Sequence, residues 1–134
     1  MKGHVLSASV VVLSDLLTGI EITSRLDITP TEYADLGTMD ESGRIREFTA
    51  WTLTSPLEAE APVDEHLTWL LDTAAPANNR LRGLIATEQG SVRIEVSVAH
   101  VGPHRMTFLN DVLQRLADFP GHFWLTAYAG ESVE

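Results

Sequence analysis

The stretch "SVRIEVSVAH", residues 91 to 100, narrows the choice of fold more than any other. Val92, Ile94, Val96 and Val98 alternate with Arg93, Glu95 and Ser97. A strict two-residue period fits an extended strand with one buried and one wetted face. Such a sheet has to be covered on its apolar side, so helices with a matching apolar stripe are to be looked for elsewhere in the chain.

Three further strands are expected. "HVLSASVVVL" (4–13) roughly alternates, with Leu6, Ala8, Val10 and Val12 on one side and Val5, Ser7, Ser9 and Val11 on the other. "EFTAWTLT" (47–54) sets Thr49, Trp51 and Leu53 against Phe48, Ala50 and Thr52, and Ser55 and Pro56 stop it. "HFWLTAYA" (122–129) opposes Phe123, Leu125 and Ala127 to Trp124, Thr126 and Tyr128. Aromatic and β-branched residues of this kind favour a pleated surface.

Helices fall between them. Thr18 and Glu21 have the spacing of a capping box, which predicts a short helix through Leu26, ended by Asp27 and barred from continuing by Pro30. Val63, Leu67, Leu70, Leu71 and Ala74 lie on one helical face behind Pro62. Pro76 resets the chain into a second helix bearing Ala77, Leu81, Leu84 and Ile85, so 62–89 reads as a helical hairpin. Asn110 is the expected N-cap of a last helix to Asp118, with Val112, Leu113 and Leu116 inward and Leu109 as a staple. Residues 31–46 lack a sustained period and read as an irregular loop; 130–134 read as a flexible tail.

These elements predict a single α+β domain over 1–134: a ferredoxin-like sandwich, with a four-stranded, mainly antiparallel sheet, helices on one face and the helical hairpin inserted. The length of 134 residues is enough for one core. No cysteine is present, which excludes disulfides, thiolate metal sites and a cysteine nucleophile. The N-terminal apolar run is broken by Ser7, Ser9 and Ser14 and reads as a strand rather than a leader. No run approaches the roughly 18 apolar residues of a membrane span, and a soluble, cytoplasmic protein is expected.

A formal charge of -10 disfavours nucleic acid and anionic membranes. Between Arg46 and Arg80 there is no basic residue, while Glu47, Glu58, Glu60, Asp64, Glu65 and Asp72 fall in that window. This is either a solvated acidic surface or a footprint for a basic protein partner.

"EITSRLDITPT" (21–31), "WTLTSP" (51–56), "DEHLTWLLDTAAP" (64–76) and "FLNDVLQRLADFPGHFWLTAY" (108–128) occur in an order and spacing that resembles the bacterial domain of unknown function 4279 family over nearly the whole chain. The resemblance implies one compact α+β domain and no assigned activity. Asp27 stands where that family commonly has a helix-ending glycine, a place an aspartate tolerates better than most residues. The segment after Thr31, often basic in relatives, reads "EYADLGTMDESG" here.

Chemistry is sought first at Asp64, Glu65 and His66. Consecutive residues on a helix point roughly 100° apart, so they make no tight acid-base pair. The two carboxylates suit the helix dipole instead, and His66 is expected to be a partly buried histidine bonded to the tryptophan strand or the loop before it. His100 and His104 are separated by Gly102 and Pro103, which keeps them off consecutive helical turns, and no metal site is expected. No nucleophile elbow or phosphate loop is present. Trp51, Trp69, Trp124, Phe48 and Tyr128 are core residues or contact anchors. Trp124, Tyr128, Arg93 and Glu95 should show on the open sheet face.

The expected function is therefore a non-enzymatic protein-binding domain, in concrete form an immunity-type inhibitor of a basic partner, with His66, Trp51, Glu65, Trp124 and Tyr128 as candidate binding residues and no catalytic residue or cofactor. The alternative is a small-molecule-binding domain or enzyme with a pocket bounded by the sheet, the 31–46 loop and the hairpin near His66. Self-association into a homodimer through the open sheet face or an unpaired edge strand is a third expectation.

Overall fold

In the computed structural model, which describes residues 4–100 and 105–129, the strands are β1 (His4–Ser14), β2 (Glu32–Ala34), β3 (Thr49–Thr54), β4 (Ser91–His100) and β5 (His122–Ala129). They form one mixed sheet in the order β2-β3-β1-β4-β5. The helices are α1 (Gly19–Leu26), α2 (Val63–Ala74), α3 (Asn78–Ala86) and α4 (Asn110–Asp118), with a 3-10 turn at Ala75–Ala77 between α2 and α3. The α+β class is as the patterning predicts. The predicted tail at 130–134 lies outside the described residues.

One sheet face carries the core. Ala8, Val10 and Val12 of β1, Thr49, Trp51 and Leu53 of β3, and Val92, Ile94, Val96 and Val98 of β4 are all buried, as are Ile22 and Leu26 of α1, Leu67, Leu70, Leu71 and Ala74 of α2, and Leu81 and Leu84 of α3. The apolar stripes read from the sequence are the ones that pack. Residues 4–6 depart from the expected alternation. Val5 pairs with Val98 and Ser7 with Ser97, so Leu6 is the extra residue of a bulge. Val5 is therefore turned inward and buried, while Leu6 is exposed.

The expected four-stranded sheet gains a fifth strand inside the segment read as an irregular loop. Tyr33 pairs with Trp51 and Ala34 with Ala50. A three-residue strand is too short to show a period. Beyond it, the Asp40 carboxylate accepts from the Ser42 and Arg44 N–H groups at 2.9 and 3.0 Å and from the Ser42 hydroxyl at 2.7 Å, and Met39 bridges to Ile45. The Ser42 hydroxyl first, with the backbone N–H of Arg44, holds the Asp40 carboxyl below its ordinary value.

Strand directions correct the helical hairpin as well. β1 is antiparallel to both β3 and β4, and β2 is antiparallel to β3. It follows that β1 and β2 are parallel with β3 between them, and β3 and β4 are parallel with β1 between them. A hairpin inserted between β3 and β4 would return the chain to the end it left. Instead Ala74, Ala75 and Asn78 keep right-handed helical dihedrals around Pro76, so α2 and α3 are one bent crossover carrying the chain forward. β5 returns through α4 to lie parallel to β4.

Local terms fix where helices begin and stop. The Thr18 hydroxyl accepts from the Glu21 N–H at 3.2 Å while Glu21 Oε1 accepts from the Thr18 N–H at 2.9 Å, the predicted capping box. Asp27 ends α1 in the left-handed conformation, φ 55° and ψ 39°, with its N–H on the Thr23 carbonyl. α4 is different: Leu109, not Asn110, is its cap residue, and the Leu109 N–H is taken by Asp64 Oδ2 at 2.9 Å. Leu109 is exposed, as is Leu113, so neither packs inward as anticipated. Close approaches demand two glycines. A Cβ on Gly19 would lie 2.0 Å from the Tyr33 ring, and one on Gly121 2.3 Å from the Val92 carbonyl oxygen.

Two outcomes follow from these ends. In urea melts, Asp27→Val should lose about 1–2 kcal/mol by placing a β-branched residue at positive φ, while Asp27→Gly should gain about 0.5 kcal/mol. The Thr18 N–H, then the Thr18 hydroxyl, hold the Glu21 carboxyl below its ordinary value of 4.5. A lowered folded value means stability that is present above 4.5 and lost as pH falls through the folded value. Glu21→Gln should flatten that part of the acid limb in a series of melts against pH.

Candidate functional site

Asp64, Glu65 and His66 occupy the first turn of α2, and they leave it in three directions. Asp64 reaches α4 through the bond to Leu109 described above; its other carboxylate oxygen is buried with no hydrogen-bond partner. Glu65 is exposed, where its charge meets the positive end of the α2 dipole. His66 turns into the core and is 2% exposed. The triplet is thus a junction and not an acid-base cluster.

Both nitrogens of His66 are engaged. Nδ1 lies 2.8 Å from Ser55 Oγ and Nε2 lies 2.9 Å from the Glu58 carbonyl oxygen. A carbonyl can only accept, so Nε2–H donates to it, and Nδ1 shares a hydrogen bond with the Ser55 hydroxyl. Ser55 Oγ in turn accepts from the Leu57 N–H at 3.3 Å. The imidazole therefore pins the chain that leaves β3 onto the start of α2. Its partners, Ser55 just after β3 and Glu58, both belong to the loop before α2, one of the two places expected, and the ring is more deeply buried than the partly buried position expected for it.

The other candidate residues do not join it. Trp51 is 1% exposed and its indole N–H donates to Thr23 Oγ1 at 3.0 Å, while that hydroxyl donates to the Gly19 carbonyl at 2.9 Å. Its whole side chain is committed to joining β3 to α1. Trp124 and Tyr128 lie on the opposite face of the sheet, 52% and 54% exposed. The Arg93 guanidinium stands 4.2 Å from the centroid of the Trp124 ring and pairs with Glu95 beneath it, a cation-π stack held in register by an ion pair. This outward set is the one the alternation of β4 and β5 assigns to the open face.

On the same face, where β4 starts and β1 ends, is a concavity of about 340 Å³ lined by Leu13, Asp15, Phe48, Glu88, Gly90 and Ser91. Leu13 and Phe48 give it an apolar floor; Phe48 is 51% exposed. Asp15 and Glu88, both exposed, are the acidic residues of its lining. Glu88 follows α3 at φ 57°. The wall beside it is fixed by Ser14, which is buried, donates to the Gln89 carbonyl at 2.5 Å and accepts from the N–H groups of Leu16 and Leu17 at 3.1 and 2.9 Å. Sequence reasoning missed this group because its members come from three separated segments. The outward parity of Phe48 was the one available sign.

Among the described residues, no group of three or more His, Asp or Glu side chains is placed to hold a metal ion, and no helix is long and apolar enough to cross a membrane. His104 lies outside the described residues. No curated protein and no solved structure matches the chain. The family described as Domain of unknown function (DUF4279) matches residues 4–130. That match takes in every strand and helix of the fold, and the chain belongs to the DUF4279 family.

Proposed function

We propose that the chain is a non-enzymatic protein-binding domain that receives a basic partner on its open sheet face, in the manner of an immunity-type inhibitor. The observation that carries this reading is the concavity lined by the apolar Leu13 and Phe48 together with the acidic Asp15 and Glu88. A lysine or arginine side chain has the matching form, an aliphatic stem for the floor and a cation for the rim. The charge of -10 favours approach of such a partner from a distance. The framework is read as a ferredoxin-like unit of β1 to β4 with β5 added. Its support is that each crossover joins parallel strands across an intervening one.

The competing reading, a small-molecule pocket or an enzyme beside His66, is disfavoured by the engagement of both ring nitrogens. An imidazole acting as acid or base needs one nitrogen within reach of the reacting proton. Here the carbonyl of Glu58 and the hydroxyl of Ser55 occupy both.

Two experiments test these readings. Pull-down from the native host should return a stoichiometric basic protein with the unaltered chain, weakened by salt, and little with the combined Asp15→Asn, Phe48→Ala and Glu88→Gln variant. Absence of any stoichiometric partner, or equal recovery by the variant, overturns the proposal. His66→Gln should lower stability by about 1–3 kcal/mol in urea melts, through polar groups left poorly paired, without changing partner recovery. Loss of recovery in a variant that remains folded would instead put His66 in the binding site.

A further inference from the structure

The two edges of the sheet are treated differently. β2 closes one side with three residues, including the charged Glu32, and is followed by Asp35. Short length and charge are the usual ways of making an edge unattractive to another strand. β5 closes the other side with eight residues, all of them exposed. Its sequence, "HFWLTAYA", contains no Asp, Glu, Lys, Arg or Pro. One side of β5 pairs with β4, and no described strand pairs with the other. Phe123 and Leu125 on the helix side are 37% and 39% exposed, and Trp124 and Tyr128 project from the open side.

We infer that the free edge of β5 pairs antiparallel with β5 of a second copy of this chain, about a two-fold axis through Thr126, to make one sheet of two copies. Charge selects the occupant. In a chain of net charge -10 this strand brings no carboxylate to the contact, so a basic segment finds nothing here to pair with, whereas an uncharged strand matches another uncharged strand. A two-fold axis also makes a strand edge complementary to itself, since each donor exposed on one copy meets the acceptor of the other.

The axis position follows from parity. An axis normal to the sheet keeps helix-side residues with helix-side residues, so paired positions must share a face. Centring on Thr126 sets Trp124 opposite Tyr128 of the second copy, twice, on the open face, and Leu125 opposite Ala127 on the helix side. Centring on Leu125 would set Trp124 opposite Thr126 and waste the aromatic match. Aromatic cross-strand pairs are the favoured kind. The Arg93 and Glu95 pair beside Trp124 holds that ring in place before the copies meet. This contact uses Trp124 and Tyr128 but none of the residues that line the concavity proposed for the basic partner, so either proposal can fail alone.

Light scattering during gel filtration over a wide concentration range tests it. The unaltered chain should approach twice its 14.7 kDa mass as concentration rises. Thr126→Lys, an exposed position whose two copies would meet across the axis, should hold the mass at that of one chain while leaving the far-ultraviolet circular dichroism unchanged. Mixing Thr126→Lys with Thr126→Glu should restore the doubled mass. A chain that stays at 14.7 kDa at every concentration overturns the inference. So does a folded Thr126→Lys variant that still doubles, or a mixture that remains single.

Discussion

The molecule depends on an unequal pair of sheet faces. β1, β3 and β4 turn valines, an isoleucine, a leucine and a tryptophan to one side, and mostly serine, threonine and alanine with one ion pair to the other. Burial of the apolar side is the main favourable term in folding, and it obliges every crossover to pass over that side. α1, the bent α2 and α3, and α4 all make their connections there. The other side is left free by the same requirement, so the open face follows from how the core is covered.

This explains which parts of the fold could be read in advance. The alternation of Val92 to Val98 and the helical stripe from Val63 to Ala74 are repeated over many residues, and both were found where the pattern put them. β2 has three residues and owes its place to pairing with β3, to the Tyr33 ring against Gly19, and to the Asp35 carboxylate accepting from the Gly19 N–H at 2.7 Å. Those are distant contacts with no local period. Pro76 reads as a reversal because a proline inside a helical pattern breaks it; whether the chain then folds back or continues is decided by strand direction, which hydropathy does not carry. The bulge at Leu6 is similar: one additional residue exchanges the faces of its neighbours without changing composition.

The candidate site divides along the same line. Trp51 and His66 were singled out by residue type, and both are spent on joining elements: one ties β3 to α1, the other ties the end of β3 to α2. Burial with every polar atom engaged makes them parts of the frame. Trp124 and Tyr128 were placed outward by parity alone, and parity was the better guide because it reports which face a residue occupies. The concavity at Leu13 and Phe48 needed the fold, since only strand pairing and the turn after α3 bring its members together.

Gly19 and Tyr33 give this arrangement a safeguard. The Tyr33 ring occupies the volume where any other residue at position 19 would place its Cβ, so a side chain there would push the tyrosine, and β2 with it, off the flank of β3. β3 would then be a second open border. A molecule with one adhesive border can associate only into a closed couple; one with two can add members at both ends without limit. On the β5 pairing proposed above, the missing methyl group at position 19 would stand between a finite assembly and a fibre.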